Sequence, residues 1–206
     1  VGYALNHLAS TLNRAGRAQE ALDYALEGLE VRRQVFPGPH PEIASSLGNL
    51  ANIYGSLEDF EAAEAVRRES LAILTERFGR DHPYVAGTTH SLGDLLFRAG
   101  KTDEAMEVLE EAVALHRTTL PEGHPNLGYP LTSLGRVLLA QDRPEAAEPL
   151  LREAYRVRRE GLSDGHWFVA ASGLELGRAL HLMARYDEAE TLLEESYETL
   201  RATFGL

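Results

Sequence analysis

Four histidines, His40, His82, His124 and His166, stand 42 residues apart, and proline follows the first three. Histidine at regular spacing invites a metal or proton-transfer reading, because imidazole is a common ligand and titrates near neutral pH. The spacing argues against a shared ion. If each 42-residue step is one pair of helices, neighbouring histidines lie roughly 9 Å or more apart, too far for one coordination sphere. Capping or packing at the helix junction is the expected role. Gly100-Lys101-Thr102 has the form of the end of a phosphate-binding loop, but that loop needs a glycine five residues before Gly100, where Leu95 stands. No HExxH, nucleophile elbow or paired-carboxylate pocket is present in the sequence, and the glutamates Glu110, Glu111, Glu194 and Glu195 fit a solvated helix face. The expectation is therefore no catalytic residue, no metal and no cofactor: not an enzyme.

The same step governs the residues that must pack. Leu8, Leu50, Leu92, Leu134 and Leu176 form one column; Ala21, Ala63, Ala105, Ala147 and Ala189 a second. Val1, Ile43, Val85, Leu127 and Val169 form a third, and Phe36, Phe78, Leu120, Leu162 and Phe204 a fourth. A fixed period of this length marks a solenoid, in which each unit buries its apolar face against its neighbours. Within a unit the pattern reads twice as a helix. Leu5, Leu8, Ala9 and Leu12 share one face, Gly16 ends the first helix, and Ala21, Ala25, Gly28, Leu29 and Val31 give the second its stripe. Pro41, Pro83 and Pro125 suit the first turn of the following helix. Pro130 and Pro149 fall past such first turns and predict kinks or late starts.

The residues Leu8-Ala9, Leu12, Gly16, Ala21 and Gly28-Leu29 resemble the tetratricopeptide repeat signature. The 42-residue step with Phe78-Gly79-Arg80-Asp81-His82-Pro83 resembles its kinesin light chain subtype. The resemblance covers the whole chain. It implies an all-α fold, a right-handed α-solenoid of five helix-turn-helix repeats forming one domain over residues 1–206, with units at about 1–42, 43–84, 85–126, 127–168 and 169–206. First helices would line the concave side. Kinesin light chains bind cargo peptides there, but this chain keeps the asparagine before the column leucine only at Asn49. His7, Ser91, Ser133 and Glu175 replace it elsewhere.

The net charge of −12 opposes nucleic-acid binding, and no apolar run is long enough to span a bilayer. Without cysteine there is no thiolate or disulfide chemistry, which fits a reducing, cytoplasmic setting. Taking first helices as residues 2–15, 44–57, 86–99, 128–141 and 170–183 gives them a net charge of +2, leaving −14 for the rest. The expected surface for a protein or peptide partner with acidic residues is Asn6, Ser10, Asn13, Arg14, Asn49, Asn52, His90, Asp94, Phe97, Arg98, Thr132, Arg136, Arg178 and His181, with Arg98, Arg136 and Arg178 carrying the charge. The competing expectation is that the first helices are poor in acid merely because they are more buried, and that each arginine salt-bridges to a neighbouring helix. A regulatory repeat region of a larger signalling protein is the alternative function. Leu192, Leu193, Leu200 and Phe204 should be partly exposed, which points to a fragment of a longer array or to self-association through terminal helices.

Overall fold

The computed structural model describes residues 1–205 and is helical throughout its regular elements. These are α1 (Gly2–Arg14), α2 (Ala18–Val35), α3 (Pro41–Ser56), α4 (Phe60–Phe78), α5 (Pro83–Arg98), α6 (Thr102–Thr119), a 3-10 turn at Pro125–Leu127, α7 (Gly128–Ala140), α8 (Pro144–Gly161), α9 (Trp167–Leu182) and α10 (Tyr186–Phe204). They fall into two compact units, residues 1–101 and 102–206. In the first, α1 packs on α2 and α3 on α4, while α2 meets α3 and α4 meets α5. In the second, α7 packs on α8 and α9 on α10, while α6 meets α7 and α8 meets α9.

The alanine column is what lets the paired helices close. Ala21, Ala63, Ala105, Ala147 and Ala189 are all buried, as small side chains must be where two backbones approach. Around them Leu12, Leu29, Ile43, Leu47, Leu50 and Ile53 form the core of the first unit. Leu131, Val137, Leu151, Val157, Leu176 and Leu180 are buried in the second. One member of the leucine column departs from expectation: Leu8 is 42% exposed, whereas Leu50, Leu92, Leu134 and Leu176 are buried. The helix of Leu8 contacts only α2 and α3, while that of Leu50 contacts α1, α2 and α4. Leu192, Leu193 and Leu200 are half-buried and Phe204 is exposed, in line with the partial exposure expected of them.

The turn inside each hairpin repeats atom for atom. Backbone amides of Arg17, Asp59, Lys101, Arg143 and Arg185 donate to the carbonyls of Leu12, Tyr54, Leu96, Leu138 and Leu180 at 2.9–3.0 Å. Such a six-to-one bond requires a left-handed residue just before the donor. That residue is Gly16, Glu58, Gly100, Asp142 or Ala184, with φ of 78°, 60°, 77°, 56° and 59°. Glycine fills this position in only two of five repeats, so three side chains sit in a conformation that L-residues disfavour.

The junction histidines settle into one role. His40 Nδ1 accepts from the Glu42 amide, His82 from Tyr84, His124 from Asn126 and His166 from Phe168, at 3.1–3.2 Å. Each caps a helix N-terminus whose first residue is Pro41, Pro83, Pro125 or Trp167. His40 and His82 also stack on Phe36 and Phe78, with ring centroids 4.0 and 4.4 Å apart. At these two junctions the column phenylalanine therefore covers the imidazole that caps the next helix. Pro130 produces the expected late start: the chain makes a 3-10 turn at Pro125–Leu127 before α7 begins at Gly128. Pro149 gives no late start: α8 begins at Pro144 and continues through it.

Candidate binding face and buried arginines

The polar residues of the first helices divide into buried, tethered and open sets. Asn6 is 7% exposed, because its backbone lies against Gly28 of α2; its side chain is therefore a packing group and not an open contact. Ser10 and Asn13 are half-buried, and Asn13 Oδ1 is buried without a hydrogen-bond partner. Arg14 is exposed. On α3, Asn49 is half-buried, and Asn52 Oδ1 accepts from Arg67 Nη2 at 2.6 Å. On α5, His90 Nε2 lies 3.3 Å from Asp94 Oδ2, and Phe97 is half-buried. Arg98 donates from Nη2 to the Gly55 carbonyl of α3 at 2.7 Å and lies over the Phe60 ring, 5.6 Å from its centroid. Neither contact neutralises its charge.

In the second unit the structure brings Arg136 of α7 and Arg178 of α9 to one carboxylate. Glu175 Oε1 lies 3.5 Å from Arg136 Nε, and its Oε2 lies 3.9 Å from Arg178 Nη1. Both guanidiniums stay about half exposed, so two cations share one anion on an open surface. The competing expectation of a salt bridge to a neighbouring helix is thus met at Arg136 and not at Arg98, whose partners are a neutral carbonyl and a ring, nor at Arg178, whose pairing with Glu175 lies within its own helix. Thr132 donates to the Gly128 carbonyl at 2.6 Å, turning its hydroxyl back onto its own helix. His181 is exposed and meets Tyr186 edge-to-face. Because α3 begins at Pro41, as a proline suited to its first turn predicts, it also carries Glu42, which Arg32 Nη2 holds at 2.9 Å.

Three fully buried cations lie outside the set that sequence reasoning selected. Arg32 is 4% exposed and donates from Nη1 to the Glu42 carbonyl and to Ser46 Oγ, at 2.9 and 2.7 Å. Arg158, also 4% exposed, sits between the rings of Tyr129 and Phe168, with centroids at 4.9 and 5.3 Å, and donates to Thr132 Oγ1 and Ser172 Oγ. The two sites are copies three repeats apart: Gly2, Arg32 and Ser46 recur as Gly128, Arg158 and Ser172. The glycine makes room, since a Cβ at Gly128 would stand 2.5 Å from Arg158 Nε and one at Gly2 3.1 Å from Arg32 Cγ. Arg67 on α4 is different. It is 8% exposed, its Nε is buried without a partner, and its one protein hydrogen bond goes to the neutral amide of Asn52. Burial pushes its pKa down to about 10, so it is still charged at neutral pH. It lines a cleft of about 540 Å³ with Glu42, Ser45, Gly48, Ser70, Tyr84, Thr88 and Ser91. The sequence carries a signal for it: Ala25, Arg67, Leu109, Leu151 and Leu193 form one column, and a lone arginine stands at an aliphatic register.

Outer-face charges form ladders between successive second helices. Arg33 of α2 meets Glu69 of α4 and Arg117 of α6 meets Glu153 of α8, each at 2.7 Å. Lys101 reaches Glu64 at 2.8 Å, and its hydrogen bond, with that of Arg68, holds the Glu64 carboxyl below its ordinary range. Exposed pairs of this kind contribute about 0–1 kcal/mol each. Among the described residues no helix is long and apolar enough to cross a membrane, and no group of His, Asp and Glu is placed to hold a metal ion.

Comparison with known proteins agrees with this geometry. Models of the tetratricopeptide repeat match residues 1–76, 42–118, 131–167 and 169–206. No curated protein matches the sequence. Among solved structures, a protein from Podosopora anserina designated a kinesin light chain, with nearly identical TPR-like repeats, superposes with a TM-score of 0.79 at 25% identity, covering 98% of this chain and 96% of that one. BtubC (BKLC) from P. vanneervenii gives 0.83 at 18% identity, covering 98% and 80%, and Pseudomonas aeruginosa pilF gives 0.71 at 20%, covering 96% and 76%. Tetratricopeptide repeats are in general protein–protein interaction scaffolds and are typically non-catalytic. The repeat models span most of the sequence and the hairpins repeat in register, so the chain belongs to the tetratricopeptide repeat family, in its kinesin light chain-like form.

Proposed function

We propose that this chain binds a peptide segment or protein partner bearing carboxylates along the exposed polar face of its first helices. One observation carries the reading: Arg136 and Arg178 share the single carboxylate of Glu175 while both remain open to solvent. On a chain of net charge −12 that leaves a local surplus of positive charge. Arg98 supports the reading, because its guanidinium is oriented by a backbone carbonyl and an aromatic ring but is paired with no carboxylate among the described residues. A partner carboxylate can form charge-assisted bonds to such pre-positioned guanidiniums without first ordering them. The same surface supports binding as its role, since its polar groups are spread along helices.

The test is charge reversal. Partners captured with the intact chain are titrated against Arg136→Glu/Arg178→Glu, with circular dichroism confirming retained helicity. Loss of affinity by about tenfold or more for the principal partner is expected, the scale of one lost charge-assisted contact. Unchanged affinity for every partner would overturn the reading.

A further inference from the structure

We propose that the cleft between α3, α4 and α5 is a binding site for a carboxylate carried on an extended peptide, with the Arg67 guanidinium as its anchor. The inference starts from a mismatch of charge and surroundings. Arg32 and Arg158 are as deeply buried as Arg67, yet Arg32 has the Glu42 carboxylate at 2.9 Å, and Arg158 has two hydroxyls and two aromatic faces. Arg67 has one amide oxygen, and no described carboxylate pairs with it. A buried cation without a counter-charge is unfavourable, and the fold retains it in a column that elsewhere holds only alanine and leucine.

The cleft around it has what a peptide carboxylate needs. Arg67 Nη1 has no protein acceptor and lies over the bare backbone of Gly48, 3.4 Å from where a Cβ would be. Gly48 and Gly87 keep the walls low, so a ligand main chain can approach closely. Ser45 and Thr88 offer hydroxyls, while that of Ser91 is turned back onto the Gly87 carbonyl, and Leu74 and the exposed Tyr84 offer apolar surface. The volume of about 540 Å³ accommodates a few residues and not a folded domain. A singly charged carboxylate matches the one uncompensated cation; a dianionic phosphate would also face Glu42 on the cleft wall. The inference rests on the peptide-binding reading for the source of the carboxylate, but not on Arg98, Arg136 or Arg178.

The experiment follows the Arg67 Nε–Hε resonance in ¹⁵N-labelled protein, identified by its disappearance in Arg67→Lys. The probes are the capped peptide Ac-Gly-Ser-Asp-Ser-Gly-NH2, its asparagine counterpart and sodium phosphate. The aspartate peptide is expected to shift the resonance saturably and to bind about tenfold more tightly than the asparagine peptide. Arg67→Gln should abolish that discrimination. Equal shifts from both peptides, no shift up to millimolar concentration, or a phosphate response at lower concentration than the aspartate peptide would overturn the proposal. Should Arg67→Gln fail to fold, the comparison of the two peptides on the native chain still decides. Arg136→Glu/Arg178→Glu should leave the Arg67 response intact, which separates failure of this site from failure of the wider groove.

Discussion

Arg158 and Arg67 are both buried guanidiniums on second helices, and only one of them has been given a surrounding that suits it. Around Arg158 the sequence supplies Gly128 for space, Ser172 and Thr132 as acceptors, and Tyr129 and Phe168 as aromatic walls. In the Gly2–Arg32–Ser46 copy the glycine and serine are kept, and the carboxylate of Glu42 stands at the position of the Phe168 ring. Around Arg67 there is one amide oxygen and an open cleft. The difference teaches that burial alone does not separate a structural charge from a recognition charge. The companions do: where they are complete the cation ties two hairpins, and where they are missing something from outside is needed.

Several perturbations probe this contrast. Arg158→Ala should cost the most, about 3–5 kcal/mol, since it opens a cavity and strands buried hydroxyls; urea denaturation followed at 222 nm measures it. Gly128→Ala should cost about 1–3 kcal/mol by the same assay, because the new methyl meets a guanidinium pinned by two rings and two hydroxyls. Gly2→Ala should cost less, its contact being longer and with the flexible part of Arg32. In the opposite direction, Ala184→Gly should stabilise by roughly 1 kcal/mol by relieving a left-handed alanine, seen as a raised thermal midpoint. The smallest effect concerns acid. Because Glu64 has a depressed folded pKa, its contribution is fully present above its ordinary value of 4.5 and is lost as pH falls through the folded value. Lys101→Met should lower stability by less than about 1 kcal/mol at pH 7 and narrow its loss between pH 5 and pH 3.

Much of the fold was legible because packing repeats. Columns of leucine, alanine and aliphatic residues located the helices and the hairpin turns, and the spacing of His40, His82, His124 and His166 placed them at the helix junctions. The capping role came with it, since a histidine before proline stands where an N-cap must be. The binding face was less legible. Asn6 shares a column with Gly48, His90, Thr132 and Leu174, a polar register on the whole, yet it is buried because Gly28 lets α2 close upon it. Leu8 belongs to a buried column and is exposed because fewer helices surround α1. Arg67 was missed for the reverse reason. Attention to columns that agree passes over the member that differs, and a charge at an aliphatic register is the difference with chemical content. The Gly–Arg–Ser sets were hidden likewise, because they recur at three repeats and not at every one.

The most direct measurement replaces both arginines by the same uncharged side chain of similar length. Urea midpoints of Arg67→Met and Arg158→Met, taken under identical conditions without added anion, compare the two sites free of differences in volume. Arg158→Met is expected to lose about 2–3 kcal/mol, while Arg67→Met stays within about 1 kcal/mol of the native chain or exceeds it, since removing an uncompensated buried charge relieves a cost. A loss at Arg67 as large as that at Arg158 would show that its charge serves the fold, and would contradict the account.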